Sequence, residues 1–251
     1  MTLRYEINPP KINLDSDLSE VQIQNSLKIV EQRVSEISHH CDGIHFTDSV
    51  LGIPRISPIV SGKLIRKSNQ ELKITVSLRV RDKTIETIEQ LMNESLSIGL
   101  NGVLILKGDA SPNEQKESGL VPSQVVKHFK EMGFDKKIEL FLSLPSNPDF
   151  EKIQKKIDAE PTGFITQVIH SVEQVSKISD DLKSRGFRII PCILLPSVKN
   201  EKSAQFLNLD WSGYKDSVTN FIEQIHKITG DVLITSPNDF NYAKQILSSL
   251  K

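Results

Sequence analysis

Gly102-Val103-Leu104-Ile105-Leu106-Lys107-Gly108-Asp109 is the stretch on which the fold turns. Four large aliphatic side chains follow one another without a polar break. Successive side chains of a strand point to opposite faces, so this run has no face to offer water. Such strands lie in parallel sheets covered on both sides by helices. The run then ends at Lys107-Gly108-Asp109, where two charges and a glycine carry the chain out through a turn.

Outward from that stretch, comparable runs recur at residues 3–7, 43–47, 72–80, 139–144, 163–167, 188–194 and 231–235. With 102–106 they make eight expected strands. Apolar residues at three- and four-residue spacing predict helices over 18–37, 84–96, 122–132, 214–228 and 240–250. Ser171-Val172-Glu173-Gln174 has capping-box spacing and opens a helix that runs to Gly186. Asn147-Pro148-Asp149 supplies a cap, a first-turn proline and a first-turn acid for a helix over 150–159. The segment 53–67 is the weakest helix, because Pro54 and Pro58 limit it. Eight β/α units of ~30 residues favour an α/β fold with one (β/α)8 TIM barrel over residues 1–251. A doubly wound sheet would want a phosphate loop after its first strand, and no GxGxxG stands there.

Composition narrows the function classes. Thirty-one basic and thirty-two acidic residues leave a net charge of −1, which gives no footprint for nucleic acid or an anionic membrane. No stretch approaches the ~20 apolar residues of a membrane span, and Met1 to Glu6 holds no apolar leader. The chain therefore reads as soluble and cytoplasmic. Cys41 and Cys192 lie far apart without a CxxC partner, so neither a disulfide framework nor a cysteine metal site is expected. His39, His40, His45, His128, His170 and His226 show no metal-ligand spacing and read as surface or core residues.

A barrel enzyme builds its site at the C-terminal ends of its strands. Those ends carry Glu6, Thr47-Asp48, Ser77 with Arg79 and Arg81-Asp82, Lys107-Gly108-Asp109, and Thr166-Gln167. A strand must leave the sheet through polar residues in any case, so position alone proves little. Glu6 stands apart, because Tyr5, Ile7 and Pro9-Pro10 do not make it a solvated turn residue. A carboxyl among apolar neighbours has its pKa raised by desolvation. A general acid at neutral pH requires that shift.

Tyr5-Glu6-Ile7-Asn8-Pro9-Pro10-Lys11, Val103-Leu104-Ile105-Leu106-Lys107-Gly108-Asp109, Phe164-Ile165-Thr166-Gln167 and Ile190-Pro191-Cys192-Ile193 occur in an order and spacing that resembles the methylenetetrahydrofolate reductase family. The resemblance covers roughly residues 3–200 and is poor from Ser197 to Tyr214. It implies FAD across the barrel mouth and reduction of the methylene carbon of a bound tetrahydropterin. It implies that Glu6 is the general acid that opens the five-membered ring, and that Asp109 sits beside the flavin and contacts the folate. By the same resemblance Gln167 positions the substrate and Lys156 meets flavin phosphate. Thr47, Ser77, Lys107 and Gly108 fall at flavin-contacting positions. Alone, Lys156 reads equally as a solvated helix lysine, Gly108-Asp109 as a simple turn, and Trp211 and Tyr214 as core.

The chain departs from the family at three places. Ser77 stands for a flavin-contacting histidine, Lys107 for an arginine, and Ser236-Pro237-Asn238-Asp239 for a Leu-Asn-Arg segment. These changes put pyridine-nucleotide use in question, so the expected donor is either NAD(P)H or a partner electron-transfer protein. A homo-oligomer is left open. Two other classes stand beside the reductase: a barrel subunit or binding module of an oxidoreductase complex, and an unrelated barrel enzyme. The last would want a glycine-rich phosphate loop late in the barrel, and residues 191–199 and 235–239 contain no glycine.

Overall fold

All eight expected strands form, each within one residue of its expected bounds: β1 (Thr2–Ile7), β2 (Gly43–Phe46), β3 (Lys73–Arg79), β4 (Gly102–Leu106), β5 (Glu139–Leu144), β6 (Gly163–Val168), β7 (Arg188–Leu194) and β8 (Asp231–Thr235). In the computed structural model, which describes residues 1–12, 20–110 and 117–251, they pair in parallel and in sequence order. The barrel closes where β1 pairs with β8, from Thr2 opposite Asp231 to Tyr5 opposite Ile234. The fold is a (β/α)8 barrel.

Helices α1 (Glu20–Ile37), α2 (Pro58–Ser68), α3 (Ile85–Ser97), α4 (Pro122–Glu131), α5 (Gln154–Ile157), α6 (Val172–Leu182), α7 (Glu201–Phe206), α8 (Val218–Thr229) and α9 (Phe240–Ser249) lie between and after the strands. Residues 18 and 19, where the first helix was expected to start, lie outside the described residues. Three expectations need correction. The weak segment 53–67 yields a sound helix, because Pro58 occupies its first turn and the Ser57 side chain accepts from the Ile59 N–H. The helix expected over 150–159 shrinks to α5, since Asp149 Oδ1 ties down Glu151 N and Lys152 N in a turn. The helix expected from Tyr214 begins at Val218. Tyr214 instead anchors the preceding loop: its hydroxyl donates to Leu194 O (2.9 Å) and its ring stacks on Phe221 at 4.3 Å.

The capping box at Ser171 forms as expected, with Gln174 N donating to Ser171 Oγ and Gln174 Oε1 accepting from Ser171 N. Ser171→Ala is expected to cost ~1 kcal/mol of stability. A urea titration followed by circular dichroism measures it, and an unchanged midpoint would refute the contribution.

Two apolar regions result. The larger lies between strands and helices and takes Ile44, Phe46, Ile74, Val76, Val103 and Ile105. The smaller fills the barrel interior with Leu104, Phe141, Ile165, Ile190, Cys192 and Leu233. The inward positions of β1 to β3 are polar, so those strands alternate where the sequence analysis expected apolar runs. His45 is buried between Thr75 Oγ1 (2.9 Å from Nδ1) and Ser77 Oγ (3.0 Å from Nε2). Burial pushes its pKa down to about 3, which keeps the ring neutral. Arg4 pairs with Asp231 through Nε and Nη2 at 3.0–3.1 Å, tying the first strand to the last.

Candidate active site

The C-terminal ends of the strands surround a cavity of about 1060 Å³. Its wall includes Glu6 from β1, Thr166 and Gln167 from β6, Cys192 from β7 and Thr235 from β8. The loops after β1 and β2 and helix α7 form its rim. No helix among the described residues is long and apolar enough to cross a membrane.

Glu6 is two residues beyond Arg4 on the same inward face. Part of its carboxyl opens onto the cavity, but protein surrounds it on the other sides. Desolvation therefore raises its pKa and outweighs the opposing hydrogen bond, in which Thr235 Oγ1 donates to Glu6 Oε1 at 2.7 Å. Burial thus shifts this carboxyl toward its protonated form.

Gln167 reaches the same cavity through a local irregularity. Between Ile165, opposite Ile190, and Val168, opposite Cys192, β6 carries one more residue than β7. Such a bulge re-aims side chains at a barrel rim. Thr166 turns its hydroxyl to accept from Cys192 N (3.0 Å), and Gln167 is exposed toward the cavity. Its amide both donates and accepts.

The other expected residues stand elsewhere and have partners of their own. Asp109 Oδ2 accepts from Leu51 N (2.8 Å), holding a loop in which Ser49 and Leu51 have φ of 45° and 60°. Such left-handed backbone at non-glycine residues persists only when its surroundings hold it. The Arg79 guanidinium donates to Asp109 O (3.0 Å). Gly108 has φ +87°, and a Cβ there would lie 2.0 Å from Arg79 Cγ, so the position needs glycine. Lys107 pairs with Glu117. Lys156 Nζ donates to Ser143 O (2.6 Å) at the end of β5. Thr47 Oγ1 donates to Asn8 Oδ1 (2.6 Å), and Ser77 is the partner of His45 inside the barrel. Glu6 and Gln167 share the cavity; Thr47, Ser77, Lys107, Gly108, Asp109 and Lys156 do not line it.

Sequence reasoning passed over Arg55, which also lines the cavity. Its Nη1 donates to Pro9 O (2.7 Å), while its Nε is buried without a partner. A charge between prolines on a strand-exit loop was the available signal. This orphaned donor, with a desolvated carboxyl and a carboxamide around a large cavity, fits a ligand with a hydrogen-bonding end and an anionic end. Flavin and folate are both of that chemical kind.

Fold and site together define a (β/α)8 barrel with a ligand cavity at its C-terminal mouth and a desolvated carboxyl on the cavity wall. The chain belongs to the methylenetetrahydrofolate reductase family: the family model described as methylenetetrahydrofolate reductase matches residues 5–231, from the residue before Glu6 to the first residue of β8. Membership marks it as an oxidoreductase of that type. A search of curated proteins gives no match. Among solved structures, a chain of the tryptophan synthase α2β2 complex from Pyrococcus furiosus is similar at TM-score 0.59 and 10% identity, covering 99% of this chain and 97% of that one. The GH18 chitinase ChiB of Flavobacterium johnsoniae is similar at TM-score 0.56 and 13% identity, covering 100% and 94%. At such identities the likeness shows the barrel and nothing of the chemistry.

Proposed function

We propose that this protein is a flavin-dependent reductase that converts a methylene-tetrahydropterin, 5,10-methylenetetrahydrofolate or an analogue, to its 5-methyl form. The observation that carries the reading is the desolvated Glu6 carboxyl sharing one cavity with Gln167, within a chain of this family. The chemistry that bound FAD contributes to such a reaction is hydride donation. Glu6 holds a proton at its carboxyl and delivers it to the arylamine nitrogen of the five-membered ring, the one outside the pterin. Protonation breaks that C–N bond and leaves the methylene carbon as an electrophilic iminium on the pterin nitrogen, where hydride addition gives the 5-methyl group. Gln167 orients the pterin by donating and accepting through one amide.

Family position assigns Gly108, Asp109 and Lys156 to the cofactor, with Lys107, Thr47 and Ser77 beside them. Asp109 and Lys156 would then exchange Leu51 N and Ser143 O for it, and Arg79 would move from Gly108. Electrons come from NAD(P)H or a partner electron-transfer protein. The internal engagement of these residues favours one second reading, a barrel subunit that takes up flavin only with its partner. An absorption titration of purified protein with FAD separates the two. Uptake at micromolar FAD with a shifted flavin band is expected; no binding of FAD or FMN would overturn the first reading in favour of the second.

A further inference from the structure

The loops after β1 and β2 join in a short antiparallel bridge between Lys11 and Arg55. Ile12 N donates to Pro54 O and Ile56 N to Pro10 O, both at 2.9 Å. Pro9, Pro10 and Pro54 limit the backbone freedom of this ribbon. It thereby holds two cations on the cavity rim, and α1 adds Arg33, whose guanidinium lies 5.5 Å over the Phe240 ring. No carboxylate pairs with Lys11 or Arg55 among the described residues, and Glu6, its pKa raised by burial, is the one acid among the residues lining the cavity. Burial lowers the Arg55 pKa with no acid to offset it. A half-buried guanidinium with an orphaned Nε is unfavourable alone and becomes favourable when an anion fills its fork. Asp239 at the β8 exit carries the opposite charge and is taken up by Lys199 (3.3 Å) and the N-terminus of α9. Lys202 on α7 adds a cation to the opposite side of the rim, but only on the β1–β2 side does a half-buried guanidinium carry an orphaned donor.

We propose that Arg55 and Lys11, assisted by Arg33, form an anion subsite that receives the carboxylate or phosphate group of the ligand whose reacting end lies at Glu6. The proposal deepens the reductase reading and rests on it for the identity of that ligand. Two sources share the chemistry: the glutamyl carboxylates of a folate and the diphosphate of FAD. Arg55 supplies the planar fork that binds either in two-point fashion, and Lys11 a point charge.

Isothermal titration of the wild type, Arg55→Gln and Lys11→Gln with three probes tests it: FAD, tetrahydrofolate with one or five glutamates, and inorganic pyrophosphate. Circular dichroism melting confirms that each variant is folded, and Arg55→Lys serves as the charge-retaining control. Arg55→Gln is expected to weaken the anionic probe about ten- to a hundred-fold, the loss of one charge-assisted contact, with Arg55→Lys intermediate. Loss confined to polyglutamate binding identifies the folate tail, and loss confined to FAD identifies the diphosphate. If the wild type binds neither FAD nor folate but loses pyrophosphate in Arg55→Gln, the reductase reading fails while the subsite stands. Affinities for all three probes within twofold of the wild type in both folded Gln variants would overturn the subsite.

Discussion

Glu6→Gln is expected to slow reoxidation of the reduced protein by methylenetetrahydrofolate at least ~10²-fold, the usual contribution of a positioned general acid. Glutamine keeps the size of the side chain and its acceptor toward Thr235 Oγ1, but it has no proton of comparable acidity to give. Pterin affinity should stay within about tenfold, because the amide still hydrogen-bonds. Flavin reduction by the donor should be unaffected, since that half-reaction needs no acid at the end of β1. Stopped-flow mixing of reduced protein with the substrate reads the first step separately. Equal rates in wild type and variant would make Glu6 a structural residue.

The same variant carries a pH signature. The folded-state pKa of Glu6 is raised by burial above its unfolded value. Between those two values the folded chain holds a proton that the unfolded chain releases. Stability from this group is therefore complete below the unfolded pKa and is lost as pH rises through the folded one. Glu6→Gln removes that decline, so its stability should fall less than the wild type's across the window. Parallel urea midpoints at several pH values would contradict the shift.

Asp231→Ala is expected to destabilise the barrel by about 3–5 kcal/mol, the effect of leaving a buried charge without its partner. Arg4 is 1% exposed, its Nη1 already lacks a partner, and Asp231 accepts its Nε and Nη2. Asp231 also accepts Arg188 Nη2 (2.6 Å), whose other nitrogen meets Glu139. Arg188 keeps Glu139 after the substitution, whereas Arg4 keeps nothing. The loss is a large share of the ~5–15 kcal/mol that holds a typical domain folded. Adding Arg4→Met should recover much of it, because an apolar pair of similar volume avoids the desolvation cost. Urea denaturation of the single and double variants measures both terms. A single variant within ~1 kcal/mol of the wild type would show that water already screens the pair.

Much of this barrel was legible because burial on both faces leaves a direct mark. Strands such as Val103-Leu104-Ile105-Leu106 have no polar alternation, and although β1 to β3 do alternate, eight short apolar-rich runs with helical spacing between them admit few other arrangements. Glu6 was legible for a related reason: a carboxyl enclosed by Tyr5, Ile7 and two prolines is unlike a strand exit. Local signals with local causes also held, as at the Ser171 capping box.

What the sequence by itself determined is therefore the order of strands and helices and the candidate acid, since both depend on residues close together in the chain. Only the tertiary structure decided which polar residues meet. Arg4 and Asp231 are 227 residues apart, as the first and last strands must be when a barrel closes. The bulge that turns Gln167 into the cavity exists only in the register between β6 and β7. Arg79 lies over Gly108, and Leu51 takes Asp109, through neighbours contributed by other strands. Arg55 joined the site because two loops pair across the rim and leave its Nε without an acceptor. The physical reason is common to all four: hydrogen-bond partnership and desolvation depend on distance in space, and a barrel brings together ends that the chain keeps far apart.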